Sequence, residues 1–345
     1  MNRVTGLICP DCGTALRGDP EQFVCPACKA STSVIDGVPH FLRDFPYWGE
    51  IPIRQMTEVN RRAQTGSWKS ALLDYDDPEV QRASVMILNL DRANWHHLVR
   101  LPADSRVLDI GAGMGTNSHA LALRYREVVA VEPVLERIQF MRQRFTQERL
   151  LNVGIVRSSI WKLPFAPGSF DLVALNGVLE WVAAGQSGDP GELQKTALQN
   201  IHRLLRPGGY VYVGIENRYV PGYFIGYPDP HCGLPFVTVL PRPLAHWYAR
   251  RHGHEDGYRN YLYSSRGYRK LLQKAGFQQS EFYIASPSYN HPRYLVPLDG
   301  GASSFYLSNF GGRGGNWLHR TVRRTLNFSG LLKYLEYSYA ILARK

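Results

Sequence analysis

Val107-Leu-Asp-Ile-Gly-Ala-Gly-Met-Gly115 is the stretch whose reading decides the fold. It is a short apolar strand that runs into glycines at 111, 113 and 115, with Asp109 two residues before the first. A glycine turn lets the backbone approach a ligand where any Cβ would collide. The helix expected from Thr116 would offer free N–H groups at its start. A dinucleotide fingerprint, G-x-G-x-x-G, would need its third glycine at position 116, where this chain has Thr116.

Four more signals follow in order. Val128-Val-Ala-Val-Glu-Pro133 reads as a second apolar strand that ends in an acid, Glu132, placed to accept ribose hydroxyls. Asn152–Arg157 reads as a third strand, and Leu163-Pro-Phe165 leads into Phe170-Asp-Leu-Val-Ala-Leu175 as a fourth. Leu204-Leu-Arg-Pro-Gly-Gly-Tyr-Val-Tyr-Val213 reads as a helix end, a Pro-Gly-Gly turn and a fifth strand. Together these resemble the class I S-adenosylmethionine (SAM) methyltransferases, whose motif I has the D-x-G-x-G-x-G pattern seen at Asp109–Gly115. The resemblance implies an α/β, Rossmann-like seven-stranded sheet with helices on both faces. It implies that Asp109, Gly111, Ala112, Gly113, Gly115 and Asn117 line the methionine part of SAM. Glu132 would hold the ribose and Pro133 would lie by the adenine, with Ser159 and Ile160 nearby. Asn176 and Gly177 would face the transferring methyl.

Ahead of this domain, Cys9-Pro-Asp-Cys12 and Cys25-Pro-Ala-Cys28 form two knuckles that can complete a tetrahedral thiolate site for zinc. Gly13 permits the positive φ such a turn needs. Four thiolates leave no open position, so the zinc would be structural. The continuation Val34-Ile-Asp-Gly-Val-Pro-His-Phe-Leu42 resembles the end of Trm112-like zinc ribbons. The expected organisation is a ribbon at 1–44, a helical connector and lid at 45–97, and a methyltransferase domain at 98–345 with an acceptor-site insertion at 216–263. Met86–Leu98 has the apolar spacing of a helix, with Asn60–Trp68 and Tyr75 as lid residues by resemblance.

The insertion is rich in Tyr, His and Arg, and resembles methyltransferases of surface-glycan pathways. His231, of the one residue type that ordinarily titrates near neutrality, is the base candidate, with Asp229 to orient it. Arg218, Tyr219, Tyr223 and Tyr263 are the acceptor-contact candidates. Trp181 stands where many relatives have a histidine. Ser286–Gly315, rich in Pro, Gly and Ser, is expected to be a loop between the sixth strand, Phe277–Ala285, and a basic amphipathic helix, Asn316–Phe328. Leu318, Val322 and Leu326 would share one face of that helix, and Tyr334–Lys345 would form the last strand.

Length and charge bound the partners. The chain has 345 residues, no 18-residue apolar run and a formal net charge of +11. Arg313, Arg320, Arg323, Arg324, Lys333, Arg344 and Lys345 face a single acid, Glu336, after residue 300. Such a patch suits an anionic partner. A cytoplasmic enzyme follows, in contact with the inner membrane face if the basic helix lies on it. Its acceptor would be small or lipid-linked and anionic, methylated on oxygen or nitrogen. The alternatives are a ribosomal or transfer RNA base methyltransferase that docks through its ribbon, and a SAM-binding partner protein without catalysis.

Overall fold

The structure, a computed structural model, describes residues 4–310 and 317–345. Arg313 lies outside the described residues, as do the side chains of Leu318, Arg320 and Arg323. The chain divides into two compact units, 1–175 with 203–211, and 176–202 with 212–345. Among the described residues twelve strands are present where the family resemblance implied seven: β1 (Arg17–Gly18), β2 (Gln22–Val24), β3 (Ser31–Ile35), β4 (Val38–His40), β5 (Arg106–Ile110), β6 (Glu127–Glu132), β7 (Val153–Arg157), β8 (Phe170–Asn176), β9 (Leu205–Glu216), β10 (Gln279–Ser288), β11 (His291–Pro297) and β12 (Ser338–Arg344).

In the first unit the strand order is β1-β2-β3-β4-β7-β6-β5-β8-β9. The strands β5, β6, β7 and β8 run parallel, with Ile110 opposite Val131 and Val107 opposite Leu172. Their apolar residues are buried without alternation, as expected of a parallel sheet covered on both faces. Four of the extra strands come from the cysteine module. Its antiparallel β1–β4 continue the sheet, because His40 of β4 pairs in parallel with Arg157 of β7. The β3–β4 turn is tight because Asp36 and Gly37 both take positive φ, 52° and 77°.

The connector is three helices, Ile53–Thr65, Trp68–Leu73 and Pro78–Ile87. Asp77 starts the third: its carboxylate accepts from the N–H groups of Glu79 and Val80 at 2.9 and 3.1 Å, with Pro78 in the first turn. The helix expected over Met86–Leu98 instead ends at Ile87. Asn89 accepts from the Asp91 N–H at 3.0 Å, and a separate 3₁₀ segment runs Leu90–Leu98. Met56, Val59, Ala63, Trp68, Leu72 and Val80 form one buried cluster with Met114 and Phe140. Of the lid candidates, Asn60, Ala63 and Trp68 are buried and Tyr75 is half-buried, whereas Arg61 and residues 64–67 are exposed. Asn60 donates to the Glu136 carbonyl at 2.9 Å, and the Trp68 indole N–H donates to Glu148 at 2.8 Å.

Arg144 ties this layer to the sheet. It is wholly buried and without a carboxylate hydrogen bond; it donates to the carbonyls of Ile87 and Met114 at 3.0 and 3.1 Å and to the Thr116 hydroxyl at 3.1 Å. Its guanidinium lies 4.4 Å from the Trp68 ring centre, and burial pulls its pKa down to about 9.

The second unit holds the end of β9, followed in order by β12, β10 and β11. β10 pairs antiparallel with both β12 and β11, with a bulge between Ser286 and Pro287. The segment expected to be a loop, Ser286–Gly315, thus contributes an edge strand and a helix, Ala302–Asn309. Prolines 292 and 297 are tolerated there because β11 has one free edge. The insertion has its own core of Val237, Ala245, Ala249, Tyr258 and Tyr261. No helix among the described residues is long and apolar enough to cross a membrane.

Arg144→Met should destabilise the protein by roughly 2–4 kcal/mol in urea unfolding, because the Met114 carbonyl and the Thr116 hydroxyl lose this buried donor, while the Ile87 carbonyl keeps the Thr116 hydroxyl. A loss under about 1 kcal/mol would show that the tie is dispensable.

Candidate functional site

The first unit supplies a glycine cradle at the end of β5. Gly111, Gly113 and Gly115 all have left-handed φ, 66°, 58° and 78°. The N–H groups of Gly111 and Ala112 donate to the Val131 carbonyl at 2.8 and 3.1 Å, which fixes the turn to β6. A Cβ on Gly115 would sit 2.7 Å from Phe145 and 2.9 Å from Met141, whereas one on Gly113 would meet nothing within 4 Å. The same loop is therefore closed underneath and open at Gly113.

Two acids frame the opening. Asp109 is 1% exposed; Oδ2 accepts from the Ser118 hydroxyl at 2.6 Å, and Oδ1 is buried without a hydrogen bond. Burial pushes its pKa up to about 6. Asn117 Oδ1 is likewise buried and unbonded. Glu132 accepts from the Gly113 and Val134 N–H groups at 2.8 and 3.1 Å, with Arg137 Nη1 at 3.9 Å. Burial raises its pKa against the pull of Arg137. Pro133 follows directly, and its carbonyl accepts from Arg157 at 3.2 Å. The Ser159 hydroxyl accepts from the Trp161 N–H at 3.3 Å, and Ile160 is buried.

Residues 108–213 match the family model described as a methyltransferase domain. The chain carries a SAM-dependent methyltransferase domain. Among curated relatives, the malonyl-[acyl-carrier protein] O-methyltransferase of Pseudescherichia vulneris is 32% identical over 157 residues, 45% of this chain and 54% of that protein. The ubiquinone biosynthesis O-methyltransferase of Azotobacter vinelandii is 32% identical over 151 residues, 43% of this chain and 60% of that protein. The chain spans about half the length of such relatives. A solved SAM-dependent methyltransferase of Thermotoga maritima, a possible histamine N-methyltransferase, superposes with a TM-score of 0.44 at 16% identity, covering 77% of this chain and 95% of that one.

The cysteine module also lies in the first unit. Sγ separations are 3.6 Å for Cys9–Cys28, 3.4 Å for Cys12–Cys25 and 3.7 Å for Cys12–Cys28. These are far too long for a disulfide, and a tetrahedral zinc at ~2.3 Å from each sulfur sets them ~3.8 Å apart. The two knuckles have matching backbones. Gly13 and Lys29 take positive φ, 74° and 63°, and donate to the carbonyls of Cys9 and Cys25 at 2.8 and 3.0 Å.

The second unit gathers the remaining candidates. Asn176 Oδ1 accepts from the Tyr212 hydroxyl at 3.1 Å, and Gly177, with φ 72°, donates to the Gly214 carbonyl at 2.9 Å. Asp229 Oδ1 accepts from the His231 N–H at 2.8 Å and lies 3.1 Å from His231 Nδ1. Its Oδ2 accepts from Thr238 at 2.8 Å and Tyr258 at 3.2 Å. His231 Nε2 then faces two acids the sequence reading did not select, Glu180 Oε1 at 3.8 Å and Glu216 Oε2 at 3.7 Å. Glu216 Oε1 accepts from the Tyr289 hydroxyl at 3.1 Å. Burial, then the nearby Glu180, push Glu216 up to about 7. For His231, burial lowers the pKa, but the Asp229 hydrogen bond and the two glutamates outweigh it and raise it to about 10. In this arrangement the imidazole holds its proton at neutral pH.

The acceptor candidates divide. Arg218 is spent on the insertion, donating to the Thr238 and Leu240 carbonyls at 2.8 Å each. Tyr263 pairs through its backbone with Asn217 and Arg218, and its ring lies 5.3 Å from the Arg242 guanidinium. Tyr219 is partly exposed, whereas Tyr223 is buried with its hydroxyl unbonded. The available signal for Glu180 and Glu216 was positional: one acid just after a strand and one at the end of the next.

Gly115→Ala should destabilise by roughly 2–4 kcal/mol, from left-handed strain plus overpacking. Gly113→Ala should cost only about 1–2 kcal/mol, the strain alone. Urea midpoints for the pair check this; equal losses would refute the closed-below, open-above geometry.

Proposed function

We propose that the protein is a SAM-dependent methyltransferase that methylates an oxygen of a small or lipid-linked anionic acceptor. The observation that carries the donor reading is the pair of unbonded, buried acceptors, Asp109 Oδ1 and Asn117 Oδ1, at a glycine cradle open at Gly113. SAM brings an ammonium, whose N–H groups can satisfy those acceptors, and a sulfonium, whose positive charge favours a nearby carboxylate. Glu132 already accepts two N–H bonds, so its oxygens are positioned to take ribose hydroxyls as further donors.

Methyl transfer is an in-line displacement with a preactivated electrophile, so the protein mainly holds acceptor and donor aligned. Both O-methyltransferase relatives act on acceptors whose attacking atom is oxygen, which favours oxygen over nitrogen here. The tyrosine-rich insertion at 216–263 suits a compact polar acceptor, and its buried histidine and acids supply fixed charge. The basic tail suits the acceptor's anionic part or an anionic membrane surface: Val322 is half exposed and Phe328 is 96% exposed on the helix Trp317–Phe328.

The donor site is tested by calorimetry. Glu132→Ala should weaken SAM binding by roughly 1–3 kcal/mol. Affinity should also depend on pH. Asp109 keeps a proton up to about pH 6 in the free protein, and a cationic ligand prefers its carboxylate. SAM affinity should therefore rise with pH from 5 to about 7 and then level, with proton release on binding below the midpoint. A pH-independent affinity, or tighter binding of NADH than of SAM, overturns the assignment.

For the cysteine module we propose one structural zinc on Cys9, Cys12, Cys25 and Cys28. Freshly purified protein should contain one tightly held zinc there, and Cys25→Ser should lose it together with order in residues 4–42. Less than about half an equivalent of zinc on that module counts against it. The acceptor class is tested by vesicle cosedimentation: Arg320, Arg323 and Arg324 changed to Gln should release the protein from anionic vesicles with SAM affinity intact. Binding to RNA with a steep salt dependence, abolished by the same change, would favour an RNA acceptor instead.

A further inference from the structure

We infer that Glu180, Glu216 and His231 form a binding site for one divalent first-row cation with open coordination positions. Each of the three offers one ligand atom, and those atoms all lie within 4.8 Å of one another. His231 Nε2 stands 3.7 and 3.8 Å from the glutamate oxygens. That is too long for a hydrogen bond, which needs about 2.7–3.2 Å. Ligands held at ~2.1 Å from one cation are separated by roughly 3–3.7 Å.

Independent of those spacings, three carboxylate oxygens there have no hydrogen-bond partner: Glu180 Oε1, Glu180 Oε2 and Glu216 Oε2. Both residues are nine-tenths or more buried, at 1% and 5% exposure. A buried carboxylate oxygen without a donor carries its full desolvation cost. An imidazolium 3.7 Å away does not provide that donor.

Charge makes the same point. Asp229, Glu180 and Glu216 bring three carboxylates around one imidazole, and their only ion-pair partner among the described residues is that histidine. A divalent cation in place of the imidazole proton leaves less net charge in the interior and lets His231 bind as a neutral ligand. The outer contacts are those of a metal site. Asp229 fixes the far ring nitrogen, as carboxylates do behind metal-bound histidines, and Tyr289 fixes Glu216 Oε1. Two oxygens and one nitrogen suit Mn²⁺ or Zn²⁺ and leave positions for water or an oxygen of a ligand. If the methyl-transfer reading holds, that ligand is the acceptor; cation binding itself does not depend on it.

The test uses the full chain with its cysteine module zinc-loaded, titrated with Mn²⁺ while electron paramagnetic resonance reports the free ion. One saturable equivalent is expected, displaced by Zn²⁺. Glu180→Gln and Glu216→Gln should each weaken it by at least about tenfold. Should either variant fail to fold by circular dichroism, His231→Gln is read in the same way, alongside the Mn²⁺-induced rise in thermal midpoint of the parent protein. Absence of saturable Mn²⁺ or Zn²⁺ binding beyond the ribbon zinc, up to about 1 mM, overturns the inference. So does binding that the folded variants leave unchanged. SAM calorimetry on the same samples reports the donor site separately, so failure of one assignment is not mistaken for failure of the other.

Discussion

The first unit depends on a steric constraint: the turn leaving β5 packs against the helix Leu135–Gln147 with no room for a side chain at Gly115. Phe145 and Met141 fill that space, and between them on the same helix Arg144 reaches the carbonyl of Met114. The same guanidinium reaches Ile87 at the end of the connector, and its face is covered by Trp68. One helix thereby positions the glycine cradle and the layer above it. A buried arginine with no carboxylate hydrogen bond is costly, so its carbonyl bonds and the stacked indole must offset much of its desolvation. The cradle is rigid below because its supports are aromatic and tightly packed. It is open above because nothing approaches Gly113.

The second unit solves a different electrostatic problem. In the first, Glu132 sits among two backbone N–H groups and Arg137, which is ordinary compensation for a carboxylate, and Asp109 has one oxygen on the Ser118 hydroxyl and one unbonded. Around His231, three acids converge on one imidazole: Asp229 is well supplied with neutral donors, whereas both Glu180 oxygens and Glu216 Oε2 have none. Such an arrangement is not explained by packing, because isosteric apolar residues would fill the same volume without the charge cost. The residues that hold Asp229, namely Thr238, Tyr258 and the turn at His231 and Cys232, show that the histidine's orientation is built rather than incidental.

What was legible in the sequence was local. The glycine turn, the acid ending β6 and the paired cysteine knuckles each carry their chemistry within a few residues, where backbone geometry alone dictates residue type. Gly13 was legible for that reason, and its left-handed φ is matched by Lys29, which no residue preference flags. The strand β11 was hidden because its prolines and the glycines around it read as a loop, and only the partner β10 makes a strand of it. The cluster at Glu180, Glu216 and His231 was hidden more deeply. Its members come from a 3₁₀ turn, a strand end and an insertion, and no spacing rule joins them. Trp181 is the residue that departs from the usual pattern. The glutamate beside it carried the signal, and the indole packs edge-on to the His231 ring at 5.1 Å.

The cysteine module reads differently once its edges are followed. A ribbon held apart on a linker would keep its strands for itself and meet other molecules freely. Here His40 pairs with Arg157, the Phe41 N–H donates to the Arg157 carbonyl at 2.9 Å, and Ile8 bonds to Pro164. The Arg157 side chain lies 3.4 Å from His40 and donates to the carbonyl of Pro133, the residue that follows Glu132. Burial and the Arg157 charge together pull His40 down to about 4, so it stays neutral beside that cation. The edge of β7 would otherwise be exposed, and β4 covers it. A metal on the four thiolates, as proposed, would order strands whose bonds to Arg157 and Pro164 lead to the backbone next to Glu132. The module's backbone thus completes one edge of the first unit's sheet.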